Sequence, residues 1–577
     1  MKKIIIALTL VLAALLLLLG TLVLLSQNSP PAPAPEMVQP TEPPETTAPT
    51  TEATLPPTEA TEPETEPETE PTEPPTEPKP VLEPYCVEDT DPANWIVDWK
   101  IYQGNTLLES YTREDPIDFQ DDSYFALPGV ASFRGDNLRN NAAYGTAEIT
   151  ECTINHLWKM NVGCLDTGEW TGCGWTGQPL VAQWDAETRA IMNMYEDKKA
   201  KDGLVEAVYA KLDGRIHFID MEDGSQTRDP VFVGQVFKGS GALDPRGYPI
   251  VYLGGGLQRG GQLQQIYAVS LIDGSILFKL SGGHPNVPRY WFGFDGGPLV
   301  DGETDTLIYA GENGLIYTIK LNTQYDKAAG TLTMEPDEPV MIANTTKYSK
   351  NGRYLGYESS PTAVGKYLFL ADNSGLLECI DINTLQPVWV QDLKDDVNAC
   401  LAFEWDEDTP YLYTGPSTDY KYGDVALYKV NAQTGEIVWE LPYKCGYDSS
   451  IPGGVMGSPV LGKAGTNMDG MIIFSLGRYP TIGRGQVIAI DKKTGEILWE
   501  YETTRNIWSS PIALYTEDGR GYLFQADIGG NCYLIDAATG EKVAYYDLGR
   551  TTESSPVAFG NRILIGTRSA MHLLEIK

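Results

Sequence analysis

The side chains in this sequence best suited to chemistry are carboxylates and aromatics that recur at one place in a repeat. Asp295, Glu358 and Glu553 each stand two residues before a small or polar residue (Gly297, Ser360, Ser555) that precedes a proline. Trp508 holds the same place before Ser510-Pro511, while Trp175 and Tyr357 stand one place further back in their own copies. If these positions converge, carboxylate oxygens beside aromatic faces could hold a cation, a sugar or a peptide. The competing reading is that the aromatics pack between elements and the acids are solvated. Trp175, Asp295, Tyr357, Glu358, Trp508 and Glu553 are the candidate binding residues. No catalytic residue is assigned, and the metal ligands, if any, are unknown.

Other chemistries find less support. His156, His217, His284 and His572 are scattered, with no HExxH or H-x-H spacing. The eight cysteines form no CxxC pair. Cys164 with Cys173, Cys379 with Cys400 and Cys86 with Cys152 are the pairings an oxidising compartment would permit, against eight free thiols. The glycines at 254–256 are followed by no Gly-Lys-Ser/Thr, so they make no phosphate loop. Asn344-Thr345-Thr346 is a lone glycosylation sequon.

The elements that must position the candidates are read from the repeat. Ala489-Ile490-Asp491-Lys492-Lys493-Thr494-Gly495-Glu496-Ile497-Leu498-Trp499 is its cleanest copy. Val430–Trp439 and Ile535–Val543 follow the same frame, and Ile380–Trp389 keeps it without the glycine. Landmark steps of 45 to 60 residues suit four-stranded propeller blades. In each copy a strand ends at Ile-Asp, and the Asp can bond the turn backbone. Gly supplies the positive φ, and an alternating strand with its Trp follows. Trp158, Trp389, Trp439 and Trp499 are the expected docking plates between blades.

The second landmark, a small or polar residue before Pro, marks the start of each innermost strand. Its copies are Gln178, Gly297, Ser360, Ser458, Ser510 and Ser555. Asp244-Pro245 is the divergent second copy, and the fifth, near Ala399–Phe403, is missing. Together the landmarks give an all-β propeller of eight blades. The last blade has room for three strands, so residues 153–160 should supply its fourth and close the ring.

The N-terminal part is of another kind. Residues 4–25 form an apolar run long enough to span a bilayer, behind Lys2 and Lys3. Residues 27–84 carry thirteen glutamates against one lysine in a Pro/Thr-rich stretch. Such a segment cannot bury a core and extends toward polyproline II, at most about 180 Å. The expected organisation is anchor 1–25, disordered stalk 26–84, lead-in 85–152 and propeller 153–577. The propeller then lies outside the cell on a single-pass anchor. A net charge of −37 argues against nucleic acid and anionic lipid as partners.

The pattern at Ala489–Trp499 resembles the tryptophan-docking motif of the PQQ-like (quinoprotein alcohol dehydrogenase-like) propeller family. Phe133-Arg134-Gly135-Asp136 through Asn141 resembles the F-R-G lead-in that often precedes these propellers, a better account of Arg134-Gly135-Asp136 than integrin adhesion. The resemblance implies either a dehydrogenase that binds pyrroloquinoline quinone (PQQ) and Ca²⁺ or a cofactor-free scaffold of the BamB kind. The sequence lacks the vicinal Cys-Cys of several such dehydrogenases and any CxxCH haem site. The expectation is a non-catalytic binding or scaffold module for a protein or glycan partner at the cell envelope, with no cofactor. The alternatives are a PQQ/Ca²⁺ dehydrogenase and a surface carbohydrate-binding protein.

Overall fold

The computed structural model describes residues 80–119, 124–165, 171–257, 262–449 and 451–577. The expected anchor, and the stalk up to residue 79, lie outside them. Among the described residues no helix is long and apolar enough to cross a membrane.

Eight antiparallel sheets make eight blades, numbered here in chain order. Their first strands are Leu180–Gln183, Ala242–Leu243, Leu299–Asp301, Thr362–Val364, Ala402–Asp406, Val460–Leu461, Ile512–Tyr515 and Val557–Phe559. Blade 8 is completed by Ile154–Asn161, which pairs antiparallel with Ala570–Ile576. The strand nearest the N-terminus of the ring thus closes the sheet nearest its C-terminus, and closure removes a free edge.

At four junctions, blade 8 to 1, 4 to 5, 5 to 6 and 6 to 7, a blade locks onto the next through an indole and a glycine. A Cβ at Gly435 would sit 2.7 Å from the Trp389 ring, one at Gly540 2.7 Å from Trp499, and one at Gly224 2.3 Å from Trp158. These glycines also have φ near +75°, so the turn needs glycine twice over. The indole Nε1 groups of Trp389, Trp439 and Trp499 donate to the carbonyls of Ala432, Lys492 and Ala537. The Asp491 carboxylate accepts from the Lys493 and Thr494 amides, which sets the turn.

Two strand starts differ from the sequence reading. In blade 2 the start is Ser240-Gly241, not Asp244-Pro245; Asp244 lies beyond the first strand and binds Arg246 and Tyr252. In blade 5 the start is present as Cys400-Leu401. Register shows this: Ser360 precedes Thr362 as Ser240 precedes Ala242 and Cys400 precedes Ala402. Proline is dispensable there because a glycine or leucine can open the strand equally well.

The stalk also ends earlier than composition implied. Leu82 is buried in the core between blades 4 and 5, and Tyr85 donates its amide to Gln433 O. Val81-Leu82 is the first apolar pair after the Pro/Glu repeat, and it packs. All eight cysteines are free, so none of the spacings above is a disulfide. Asn344 is buried and its amide bonds Tyr357 and Glu378, which removes it as a glycan acceptor in the folded state.

The lead-in is part of the propeller. Ile96–Gln103 and Thr106–Leu108 extend blade 3 to six strands. Residues 129–144 then cross the channel and touch every blade. Gly129-Val130 pair with blade 1, and Ala131 O accepts from Leu243 of blade 2. Arg139 donates to Gly297 O and Pro298 O of blade 3 and to Pro361 O of blade 4. Leu138 O takes the Phe403 amide of blade 5. Arg134 donates to Pro459 O of blade 6 and Pro511 O of blade 7. Ala143-Tyr144 run parallel to Ala558-Phe559 of blade 8. Arg134-Gly135-Asp136 is therefore internal structure, and Arg134 is fully buried.

Candidate functional site

The strand starts build the floor of the opposite mouth. Blade to blade, Ser555 donates its amide to Thr176 O, and six of the eight starts donate theirs to the next start's side chain: Gln178 to Ser240 Oγ (2.9 Å), Gly297 to Ser360 Oγ (2.7 Å), and Ser360 to Cys400 Sγ (3.1 Å). Cys400 donates to Ser458 Oγ (2.9 Å), Ser458 to Ser510 Oγ (3.0 Å) and Ser510 to Ser555 Oγ (3.1 Å). A small hydrogen-bonding side chain is needed here because two backbones approach across each blade interface. The lead-in seals the channel just beneath this ring, at the residues that follow it.

Two positions earlier in each blade stand Thr176, Lys238, Asp295, Glu358, Asn398, Met456, Trp508 and Glu553. A belt of them crosses the mouth. Trp508 meets Trp175 edge to face at 6.0 Å between ring centroids. The Lys238 ammonium lies 4.1 Å from the centre of the Trp175 ring and pairs with the Asp295 carboxylate. Carboxylate oxygens of Asp295, Glu312 and Glu358 all lie within 4.8 Å of one another. Asp396 follows, bound by Asn373 Nδ2 and Asn398 Nδ2 at 2.8 Å each.

Burial and mutual repulsion set the charge states. Burial, then Asp295, holds the Glu312 carboxyl well above the usual carboxylate range. The same two causes raise Glu358. Burial and the neighbouring Glu358 push Asp396 up to about 8. For Lys238, burial opposes the charge, but Asp295, Glu312 and Glu358 outweigh it and hold the ammonium charged. Arg289 stands at the rim, 4.8 Å over the Tyr354 ring and bonded to Asn373.

Of the six candidates, the structure brings Asp295 and Glu358 into one cluster and Trp175 and Trp508 into contact beside it. Glu553 faces the same mouth but is held by Arg568 at 2.6 Å. Tyr357 does not belong: it is fully buried and bonds Glu378 at 3.0 Å between blades 3 and 4. Alternation along the strand start turns it inward, one residue from Glu358.

Lys238, Glu312 and Asp396 were missed. Placing the second strand start at Ser240 would have yielded Lys238. Glu312 comes from the turn after the second strand, which has a frame of its own: Ala210…Gly214, Ala310…Gly314, Ala371…Gly375 and Ala526…Gly530. Residues within that frame face the mouth, and in two copies an aspartate (Asp372, Asp527) caps the turn instead.

Residues 350–506, 423–543 and 483–575 match the family model described as outer membrane protein assembly factor BamB. No curated protein sequence matches the chain. Among solved structures, quinohemoprotein alcohol dehydrogenase from Comamonas testosteroni aligns at TM-score 0.51 and 13% identity, over 78% of this chain and 80% of that one. The quinohemoprotein alcohol dehydrogenase ADHIIG from Pseudomonas putida HK5 aligns at 0.51 and 12%, over 80% and 82%. BamB from Moraxella catarrhalis aligns at 0.41 and 14%, over 64% and 92%. At these identities the likeness speaks to the fold alone.

Proposed function

We propose that this chain, a member of the PQQ-like β-propeller family, is a non-catalytic binding module displayed outside the cell, taking a protein or glycan partner at its open mouth. The observation that carries the reading is the asymmetry of the channel. One end is filled by residues 129–144, while the other presents the belt from Trp508 to Asp396. Around that belt, loops entering the mouth expose Tyr290, Trp291, Tyr354 and Tyr422. Rigid aromatics over a polar floor suit macromolecular contact. The anchored, stalked arrangement read from residues 1–84 would hold this mouth away from a membrane.

The dehydrogenase alternative depends on whether the mouth residues fit PQQ, a planar tricarboxylate. The fit is poor. Lys238 covers a face of Trp175, where a flat cofactor would stack, and its charge is already engaged by Asp295. A divalent cation, by contrast, suits the oxygen-rich cluster.

The reading is tested by placing a photo-cross-linking residue at Tyr354 on the mouth or at Tyr144 on the sealed end of the full chain in its native envelope. A discrete adduct from the mouth position alone supports it. Equal adducts from both ends, or none at the mouth, would contradict it.

A further inference from the structure

We infer that the rim of the mouth carries a subsite for an acidic, carboxylate-bearing glycan, built by Arg289, Lys350 and Arg353 where the loops leading into blades 3 and 4 meet. The inference rests on the mouth being the docking end, and it names the class of ligand taken there.

The first observation is one of charge. Acids outnumber Lys and Arg 79 to 42 in this chain, yet residues 282–294 and 345–357 contain no Asp or Glu. They hold Arg289, Lys347, Lys350 and Arg353 instead. Two loops at one mouth are thus spared the acid that dominates the chain, and a local positive field draws in an anion.

The second is how the cations are held. The Arg353 guanidinium lies 4.0 Å from the centre of the Tyr348 ring and 4.7 Å from that of Tyr420, and its Nη1 donates to Ser374 O and Lys394 O. Arg289 lies 4.8 Å over the Tyr354 ring, with Nη1 on Asn373 Oδ1. Stacking and one anchored nitrogen fix each plane. Among the described residues, Nε and Nη2 of both arginines have no acceptor, and neither they nor Lys350 form an ion pair. The Nε and Nη2 edge of a guanidinium matches a carboxylate bidentately. Glu312, Glu358 and Asp419 are the acids that feel these guanidinium charges. Burial raises all three above the usual carboxylate range, so they oppose an incoming anion weakly.

The third is the shape of the site. Arg289, Thr345, Ser349, Lys350, Arg353 and Tyr354 line a cavity of about 200 Å³, room for one sugar ring. Tyr290 and Trp291 follow Arg289 in the chain, Tyr354 follows Arg353, and all three rings are exposed. A pyranose lays its C–H face on such a plate while its hydroxyls reach Thr345 and Ser349. An acidic peptide would instead seek main-chain pairing with an open strand edge. The strand at this rim, Val340–Thr346, is already paired on both sides, with Leu315–Lys320 and Ile96–Gln103.

The test is a calorimetric titration of the full chain with hexagalacturonate. Binding is expected, and Arg353→Gln or Arg289→Gln should each weaken it by at least about tenfold. Raising NaCl from about 50 to about 300 mM should weaken it at least about threefold, and neutral maltohexaose should give no heat. No hexagalacturonate heat from folded wild type would overturn the inference, as would equal binding of maltohexaose or unchanged affinity in folded Arg289→Gln. Hexaglutamate binding as tight as hexagalacturonate would overturn the glycan class in favour of an acidic peptide. Should Arg353→Gln fail to fold without its bonds to two carbonyls, Arg289→Gln decides alone. A cross-linked adduct at the mouth without hexagalacturonate binding strikes this inference and keeps the docking reading. Glycan binding lost in the arginine variants, alongside equal adducts from both ends, does the reverse.

Discussion

The two ends of the channel are built on the same eight strands and treat polar groups in opposite ways. At the sealed end, Arg134 and Arg139 lie fully buried and donate to the carbonyls of Gly297, Pro298, Pro361, Pro459 and Pro511, with Arg134 Nε left without a partner. At the mouth, Asp295 and Glu312 keep buried oxygens without hydrogen bonds, and three carboxyls crowd one lysine. Largely satisfied buried networks hold a fold together, and unsatisfied ones are often retained where a ligand completes them. That difference is the basis of the proposed division between a structural end and a binding mouth.

The largest effect that could break this comparison is at the sealed end. Arg134→Met leaves the Pro459 and Pro511 carbonyls unpaired and should cost about 3–5 kcal/mol. Denaturant unfolding of the full chain would read this as a lower midpoint at constant slope. A loss below about 1 kcal/mol would show that the lead-in merely rests in the channel.

A second effect separates the mouth from the ring-closing seam through pH. At the seam, His156 Nε2 and His572 Nδ1 are 3.0 Å apart, and His156 stacks on Tyr546. Burial, then His156 and Lys159, push His572 down to about 4. The unfolded chain therefore binds this proton first. Stability is complete above about 6.5 and is lost as pH falls from there to about 4, by up to about 3 kcal/mol. The mouth carboxyls have the opposite sign. Raised above their unfolded values, Asp396, Glu358 and Glu312 favour the folded state more as pH falls from about 8. Between about pH 4 and about pH 6.5 the two trends oppose one another. In a melting-temperature profile, His572→Phe should therefore gain stability relative to wild type as pH falls through that window, and Asp396→Asn should lose part of the gain that accompanies acidification from about pH 8.

Smaller still, Glu358→Gln should leave stability unchanged or raise it by about 1 kcal/mol at pH 8, because it removes repulsion rather than a bond. A loss comparable to that of Arg134→Met would erase the distinction between the ends. The smallest effect belongs to the rim. Tyr354→Ala should change stability by less than about 0.5 kcal/mol while reducing partner capture at the mouth.

Much of the ring was legible because it repeats. The Asp-x-x-Thr-Gly turn and its Trp recur at blade spacing, and the three-stranded end required a closing strand from residues 153–160. What stayed hidden depends on contacts that no local pattern records. The second and fifth strand starts lack proline, so Ser240 and Cys400 are recognised only by register. The role of residues 129–144 lies in bonds to carbonyls up to 377 residues away, which no side-chain type announces. Tyr357 and Glu358 are adjacent in sequence and alike in promise, yet pleating sends one into the core and the other to the mouth. Glu312 sits in a turn whose frame is visible, but its approach to Glu358 depends on how blades 3 and 4 pack.

The most direct test of a binding mouth against a quinone enzyme is a calorimetric titration of PQQ into the Ca²⁺-saturated full chain, with a metal-free control. We expect no PQQ heat from folded protein in either condition. Stoichiometric, Ca²⁺-dependent PQQ binding, with dye reduction on alcohols or sugars, would contradict the account and make the mouth a dehydrogenase site.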